Sequence, residues 1–558
     1  MTSRRRFLGM AGAAATTATL LEIMTGAVRA DAAPAADGLF RPAGKKANGK
    51  TVAILGAGPA GLTAAMRFLE AGYGVTVLEA TGRVGGRTLT ARPGDTITEV
   101  WDDGSVHTQT CAFSEGLYLN LGAGRIPYHH QRLIKLCRKL KVPLEPYIHT
   151  TTANLYQSKK AWHGDPKHNR RIANDTRGHI AQYLARVVGK ASQSDDGLTP
   201  QQRERFIKLL IEFGALDKAD RSYSGSTRSG LAKPISVTQM EEPADPLALS
   251  DLLAAEFWDH GFYQDCNWHW HTTSFQPVGG MDTTWRMLAA ALPQGTITYD
   301  APVHGIELAE DGVRVTWSED GEERSDRFDH CLSNIPLPVL RNGVALSGFS
   351  ADFLTAVQKA PFAPACKVGW QANRRFWESD KYEIYGGISR IDHEIEQIWY
   401  PSNDYFSPDD KGTLTGAYCS YGRATTMGDR PHEERLRVAR EGATKLHAEF
   451  ASNAVVPDDL GMSIAWHKMP YMRAAWADWQ PGKPEHKGWY STLIYPQGGN
   501  NRFLVIGDQV SALPGWQEGA VMSAEWAYEW IASAKPLARR PVQRVPDARE
   551  LTTGQSAD

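Results

Sequence analysis

The chain changes its hydrophobic period several times near its start. Residues 51–55, TVAIL, form a short apolar run with branched side chains, the pattern of a buried strand. Residues 62–72, LTAAMRFLEAG, read as a helix, and residues 74–80, GVTVLEA, as a second strand that ends at Glu79. Between the first strand and the helix stands GAGPAG, so the order strand, glycine turn, helix, strand predicts a βαβ unit. Farther on, TPQQRERFIKLLIEFGAL at 199–216 spaces its apolar residues for a helix and opens with Thr-Pro. No internal repeat is visible.

The first thirty residues are not part of the fold. SRRRFLG at 3–9 precedes an apolar run over 10–28 and small residues around Ala30, the layout of an export signal peptide over 1–30. Arg4 and Arg5 followed by Phe7 and Leu8 resemble the twin-arginine signal, a route that carries folded proteins. The expected location is periplasmic or secreted. A membrane anchor fits less well, because the run is short and rich in Ala, Gly and Thr; no other stretch is long and apolar enough to span a bilayer. Residues 31–49 read as a polar linker, and 536–558 as a poorly ordered tail with proline and arginine.

Composition narrows the classes. At 558 residues the chain can hold two or three domains, and 42% hydrophobic with 22% charged residues is ordinary for a globular protein. A net charge of -2 implies no face for nucleic acid. The six cysteines (Cys111, Cys137, Cys266, Cys331, Cys366, Cys419) are scattered without a C-x-x-C, against a zinc site or disulfide framework, and are expected to be mostly buried thiols. NWHWHT places His269 and His271 at i, i+2, both able to point one way from a strand, but no third ligand is evident, so no metal is expected. His129 and His130 read as surface polar residues, with lining of an entry as the other reading, and Trp377 reads as core.

The glycine turn has a chemical meaning. Gly56 permits the tight turn, Gly58 lets the backbone approach a pyrophosphate, and Gly61 lets the helix pack on the strand. Pro59 and Ala60 begin that helix, whose N-terminus offers unpaired N–H groups to phosphate. Glu79, followed by Ala80, can accept from both hydroxyls of a ribose.

The segments beyond Ala80 resemble those of a known family. RVGGRT at 83–88, with Arg83, Gly86 and Arg87, resembles the second motif of the FAD-dependent amine oxidase superfamily, where it runs along the pyrophosphate and ribityl chain. LYLNLGAGRIP at 117–127 is similar to the flavin-contacting segment of L-amino-acid oxidases and supplies Gly122, Ala123, Gly124 and Arg125. FQPVGGMD at 275–282 resembles the re-entry into the FAD domain. APVHGIELAEDGVRVTW resembles the strand pair whose first valine, Val303, meets adenine, and CKVGWQANRRFWE at 366–378 the lysine segment. Residues 502–527 resemble the closing FAD motif, with Gly507, Asp508, Gly515, Trp516 and Ala520. In family order, these pieces resemble the flavin monoamine oxidase superfamily, nearest to L-amino-acid oxidases.

The resemblance implies an α/β fold. A Rossmann-like FAD-binding domain is expected over 50–116, 275–360 and 495–535, an interleaved α+β substrate domain over 117–165 and 361–494, and a helical domain over 166–274. It implies oxidation of an L-α-amino acid by hydride transfer to flavin N5, with 2-oxo acid, ammonia and hydrogen peroxide as products. Arg125 and Tyr418 would hold the carboxylate, and Lys367 would organise the water beside N5. Trp516 and Trp476 would touch substrate, and Trp466 and Trp479 are spaced around the same face. A tryptophan-lined pocket suits an aromatic side chain and equally a sandwiched guanidinium. A helix beginning near Gly519-Ala520 would place positive charge at the flavin N1 side. Because the last cysteine is Cys419 and the last histidine is His486, FAD is expected to be non-covalent. Two departures stand out: Ala123-Gly124 replaces the usual Pro-Met, and Gly507-Asp508 replaces Gly-Glu. Amine or polyamine oxidase, amino-acid 2-monooxygenase and, distantly, a non-enzymatic FAD-fold escort stay open. Partners are a small amino acid and dioxygen, with a homodimer left open.

Overall fold

The computed structural model describes residues 49–190, 197–259, 262, 266–532 and 539. The signal peptide over 1–30, the linker save residue 49 and the tail over 536–558 save Arg539 lie outside the described residues.

The TVAIL run forms a strand, Thr51–Leu55, followed by the helix Pro59–Glu70 and the strand Gly74–Leu78. Alternation divides the first strand between two cores. Val52 and Ile54 pack with that helix and with Gln517–Ala532, whereas Ala53 and Leu55 pack with Ile306, Val313 and Phe353. A strand covered on both faces needs a continuous apolar run, which is what TVAIL provides.

Five parallel strands build this sheet in the order Ile297–Thr298, Gly74–Leu78, Thr51–Leu55, His330–Ser333, Phe503–Val505. The order therefore reverses beside Thr51–Leu55, and a doubly wound sheet opens a crevice at such a point. Val303–Leu308 and Val313–Glu319 pair antiparallel in a four-stranded sheet below it.

A second large sheet has seven strands, in the order Lys167–His168, Leu155–Gln157, Ile388–Ile391, Gln397–Trp399, Gly412–Ser420, Ala365–Ala372, Gly461–Ala465. Ala365–Ala372 is flanked on both sides and buried at every residue, so Lys367 is not at a sheet edge. Behind this sheet, Arg435 of the helix His432–Thr444 forks onto Glu99, with Nη1 and Nη2 donating to its two oxygens at 2.7 and 2.6 Å. The helix expected at 199–216 spans Pro200–Gly214, and Thr199 and Gln202 form a reciprocal capping box. It packs on the long helix Asn169–Lys190. Cys111, Cys137, Cys331, Cys366 and Cys419 are buried thiols, and Cys266 is exposed. Among the described residues no helix is long and apolar enough to cross a membrane.

Candidate active site

A cavity of about 490 Å³ runs from the crevice of the parallel sheet to the face of the seven-stranded sheet. Its two ends are built differently.

At the parallel-sheet end, Gly56 turns with φ +101°, a conformation that L side chains rarely adopt. A Cβ on Gly61 would stand 1.9 Å from the Gly56 carbonyl, so only glycine lets the helix seat on the strand. A Cβ on Gly58 would reach within 2.8 Å of the Asn334 amide. Gly56, Gly58, Pro59, Glu79, Ala80, Gly86, Arg87, Val303, Asp508, Gly515 and Ala520 all line this part of the cavity. Ala60, Gly61, Arg83 and Gly507 lie outside its lining. The Arg83 guanidinium instead donates to the Gly86 carbonyl at 2.9 Å and supports the turn from behind.

Glu79 is fixed before any ligand arrives. One oxygen accepts from the Ala57 N–H at 2.7 Å, the other from the Thr81 N–H and hydroxyl at 3.0 and 2.7 Å. Burial nevertheless pushes its carboxyl above the ordinary range. Asp508 accepts from the Arg87 guanidinium with one oxygen and from the Gly515 N–H at 2.8 Å with the other. The shorter acid thus serves as an internal clamp on the RVGGRT turn. The closing helix, Gln517–Ala532, starts two residues before Gly519, and Ala520 stands in its first turn at the cavity wall.

At the other end, Lys367 and Tyr418 are register partners on adjacent antiparallel strands, and both line the cavity. The Lys367 ammonium donates to the carbonyls of Gly122 at 2.6 Å and Asn120 at 3.2 Å. It lies over the rings of Trp399 at 4.6 Å and Tyr418 at 5.1 Å. Burial, and then the charge of Arg125, push its pKa down to about 7. Burial raises the Tyr418 hydroxyl.

Arg125 leads into the short strand Ile126–Pro127, which pairs with Ser274–Pro277. Its guanidinium stands 3.8 Å from the Trp270 ring and 5.0 Å from that of Trp516. Among the described residues its Nε has no partner and no carboxylate pairs with it. Burial pulls its pKa to about 10. Trp270 and Trp516, whose rings stand 74° to one another, therefore form a corner around one of the protein's own guanidiniums.

Trp516, Trp476 and Trp466 line the cavity, and Trp466 donates to the Leu121 carbonyl at 3.1 Å. Trp479 does not line it; its indole is fully buried and donates to the Gln509 carbonyl at 2.8 Å. Trp377 is core. Trp270, Trp399, Arg390 and Gln397 line the cavity without having been singled out from the sequence. Trp399 accounts for one departure from the family pattern: a Cβ on Gly124 would meet its ring at 2.6 Å, so a methionine there would collide with it.

Two histidine expectations are corrected. Residues 267–271 form a turn and not a strand, so His269 and His271 do not share a strand face. His130 is buried and His129 half-buried, and both meet His269. His269 thus meets two imidazoles from a distant segment, and His271 is not one of the cluster.

The comparisons agree with this architecture. The chain is 26% identical over 488 residues to the flavin-dependent L-tryptophan oxidase of Lentzea aerocolonigenes, covering 85% of this chain and 96% of that protein. It is 24% identical over 493 residues to the L-amino-acid oxidase of Mus musculus, covering 85% and 69%. A solved structure of putrescine oxidase bound to putrescine superposes with a TM-score of 0.53 at 21% identity, covering 87% of this chain and 99% of that one. The family of flavin containing amine oxidoreductases matches residues 59–527, so the chain belongs to that family and its cofactor is a flavin.

Proposed function

We propose that the protein is an FAD-dependent L-amino-acid oxidase. It converts an L-α-amino acid, dioxygen and water into the 2-oxo acid, ammonia and hydrogen peroxide. The observation that carries this reading is Arg125: a buried guanidinium without an acidic partner among the described residues, at the end of the cavity beside Lys367 and Tyr418. Leaving a charge unpaired in a dry pocket is costly, and a substrate carboxylate removes that cost by pairing with the planar fork. A simple amine has no such group, and a diamine would bring two ammoniums toward Arg125 and Lys367.

The residues present fit FAD. Glu79 would take the ribose, the N-terminus of Pro59–Glu70 the pyrophosphate, and the segment 122–125 the isoalloxazine side. Among the described residues the lining has no cysteine, and its sole histidine, His304, lies beside Val303, which supports non-covalent binding. Bound FAD would supply the two-electron oxidation of the substrate and the reduction of dioxygen. The chain's part is positioning: Arg125 and Tyr418 hold the carboxylate, the tryptophans exclude water, and the Lys367 ammonium holds a proton where dioxygen is reduced. A fixed carboxylate also selects the L enantiomer. We further propose export through the twin-arginine signal read at Arg4 and Arg5.

A peroxide-coupled screen of the twenty L-amino acids, their D enantiomers and the decarboxylated amines tests this. Oxidation of L-amino acids alone is expected. Turnover of amines as fast as of the parent amino acids would sink the reading in favour of amine oxidase.

A further inference from the structure

Three imidazoles converge beside the cavity, and the proposed reaction uses none of them. His129 and His130 directly follow the strand Ile126–Pro127 and Tyr128, whereas His269 arrives on the turn over 267–271. One ring nitrogen of each lies within 4.8 Å of the other two. His129 Nε2 and His269 Nδ1 are 3.0 Å apart. His130 is 1% exposed, and among the described residues its Nε2 finds no hydrogen-bond partner; nor does the buried Nδ1 of His129. Native proteins rarely leave buried polar nitrogens unpaired, so these point to a ligand.

The rings are also held in place. Trp268 stacks on His129 with centroids 3.9 Å apart and planes 16° apart. Trp516 stacks on His269 at 5.5 Å and meets His130 edge-on at 5.0 Å. A neutral imidazole brings a nitrogen lone pair to a metal ion.

The donor set selects the ligand. Among the described residues no carboxylate belongs to the cluster, which disfavours hard ions such as magnesium and calcium. Three neutral imidazoles with one open position suit zinc and copper. Half-buried His129 gives the ion a way in.

We propose that His129, His130 and His269 bind one late first-row transition-metal ion, of the zinc or copper class. The ion pins the turn over 267–271 to the segment after Ile126–Pro127. It thereby fixes Trp270 and Trp516 around the Arg125 guanidinium.

The test uses flavin-loaded protein stripped with a chelator and titrated with Cu(II) alone and Zn(II) alone. One equivalent should bind, Zn(II) should compete with Cu(II), and the Cu(II) EPR spectrum should carry hyperfine splitting from at least two nitrogens. His269→Asn and, separately, His129→Asn should each weaken binding by more than about 100-fold, since losing a ligand exceeds the 10–100-fold typical of outer-shell partners. Flavin absorbance and far-UV dichroism report that each variant is folded. Absence of saturable uptake, a spectrum without nitrogen splitting, or uptake retained in both folded variants would overturn the site and leave a hydrogen-bonded histidine cluster.

Discussion

Two buried arginines show how differently one side chain is used in two parts of this molecule. Arg435, behind the seven-stranded sheet, is 1% exposed and has a bidentate carboxylate, and it also donates to the Gly428 carbonyl at 2.6 Å. Its partner Glu99 accepts in addition from the Ala465 N–H at 2.7 Å. Arg125, at the cavity, is 6% exposed and has two tryptophan faces in place of an acid. The first arginine is satisfied by the fold and serves it. The second is left for something the fold does not contain. The same contrast runs through the cavity, where Arg87 at one end is clamped to Asp508, and Lys367 at the other meets, among the described residues, carbonyls and aromatic rings in place of an acid.

The comparison breaks first, and most heavily, at the satisfied arginine. Arg435→Met strands a buried carboxylate and should cost about 3–5 kcal/mol of folding stability, read by denaturant unfolding. Arg125→Met should leave unfolding nearly unchanged and lower kcat/KM for L-amino acids by about 2–5 kcal/mol, with FAD still bound. If Arg125→Met unfolds the protein as Arg435→Met does, the distinction between the two fails.

Lys367 sharpens the contrast through pH. Its pKa of about 7 in the folded, flavin-free protein lies below the ordinary 10.5. Between those values the unfolded chain binds the extra proton and the folded one does not, so stability rises with pH through that window. Subtracting the curve of Lys367→Met from that of wild type should reveal a rise of about 3.5 kcal/mol between pH 7 and 10, at 1.4 kcal/mol per unit in mid-window and less near either pKa. A flat difference would show that the ammonium is not desolvated. The smallest effect belongs to Tyr418→Phe, which should lower kcat/KM by about 1–3 kcal/mol, the scale of one buried hydrogen bond. An unchanged kcat/KM would remove Tyr418 from the carboxylate clamp.

What was legible in the sequence was local. Gly56, Gly58, Gly61 and Glu79 belong to one continuous strand–turn–helix–strand, so their spacing alone describes their geometry. The helix after Thr199 was readable for the same reason. Trp399 was not, because it reaches the cavity only through the pairing of Gln397–Trp399 with Gly412–Ser420, a matter of long-range register. Trp270 lay inside a hexapeptide read for its histidines. The meeting of His129 with His269 joins positions 140 residues apart, and the i, i+2 spacing suggested a different partnership. Asp508 for Glu was visible as a departure, but its pairing with Arg87 across 421 residues was not.

The parallel sheet is assembled from both ends of the chain: Thr51–Leu55 stands one strand away from Phe503–Val505. At 5–20 residues per second, a ribosome makes the roughly 450 intervening residues in about 20–90 s, and the first strand waits that long for the sheet to be completed. A partly made chain has no finished cofactor crevice to load. The finished crevice exists only after Phe503–Val505 has been made, and a transporter that threads the polypeptide unfolded would undo it. Any machinery that delivers this protein ready to work has to carry it whole.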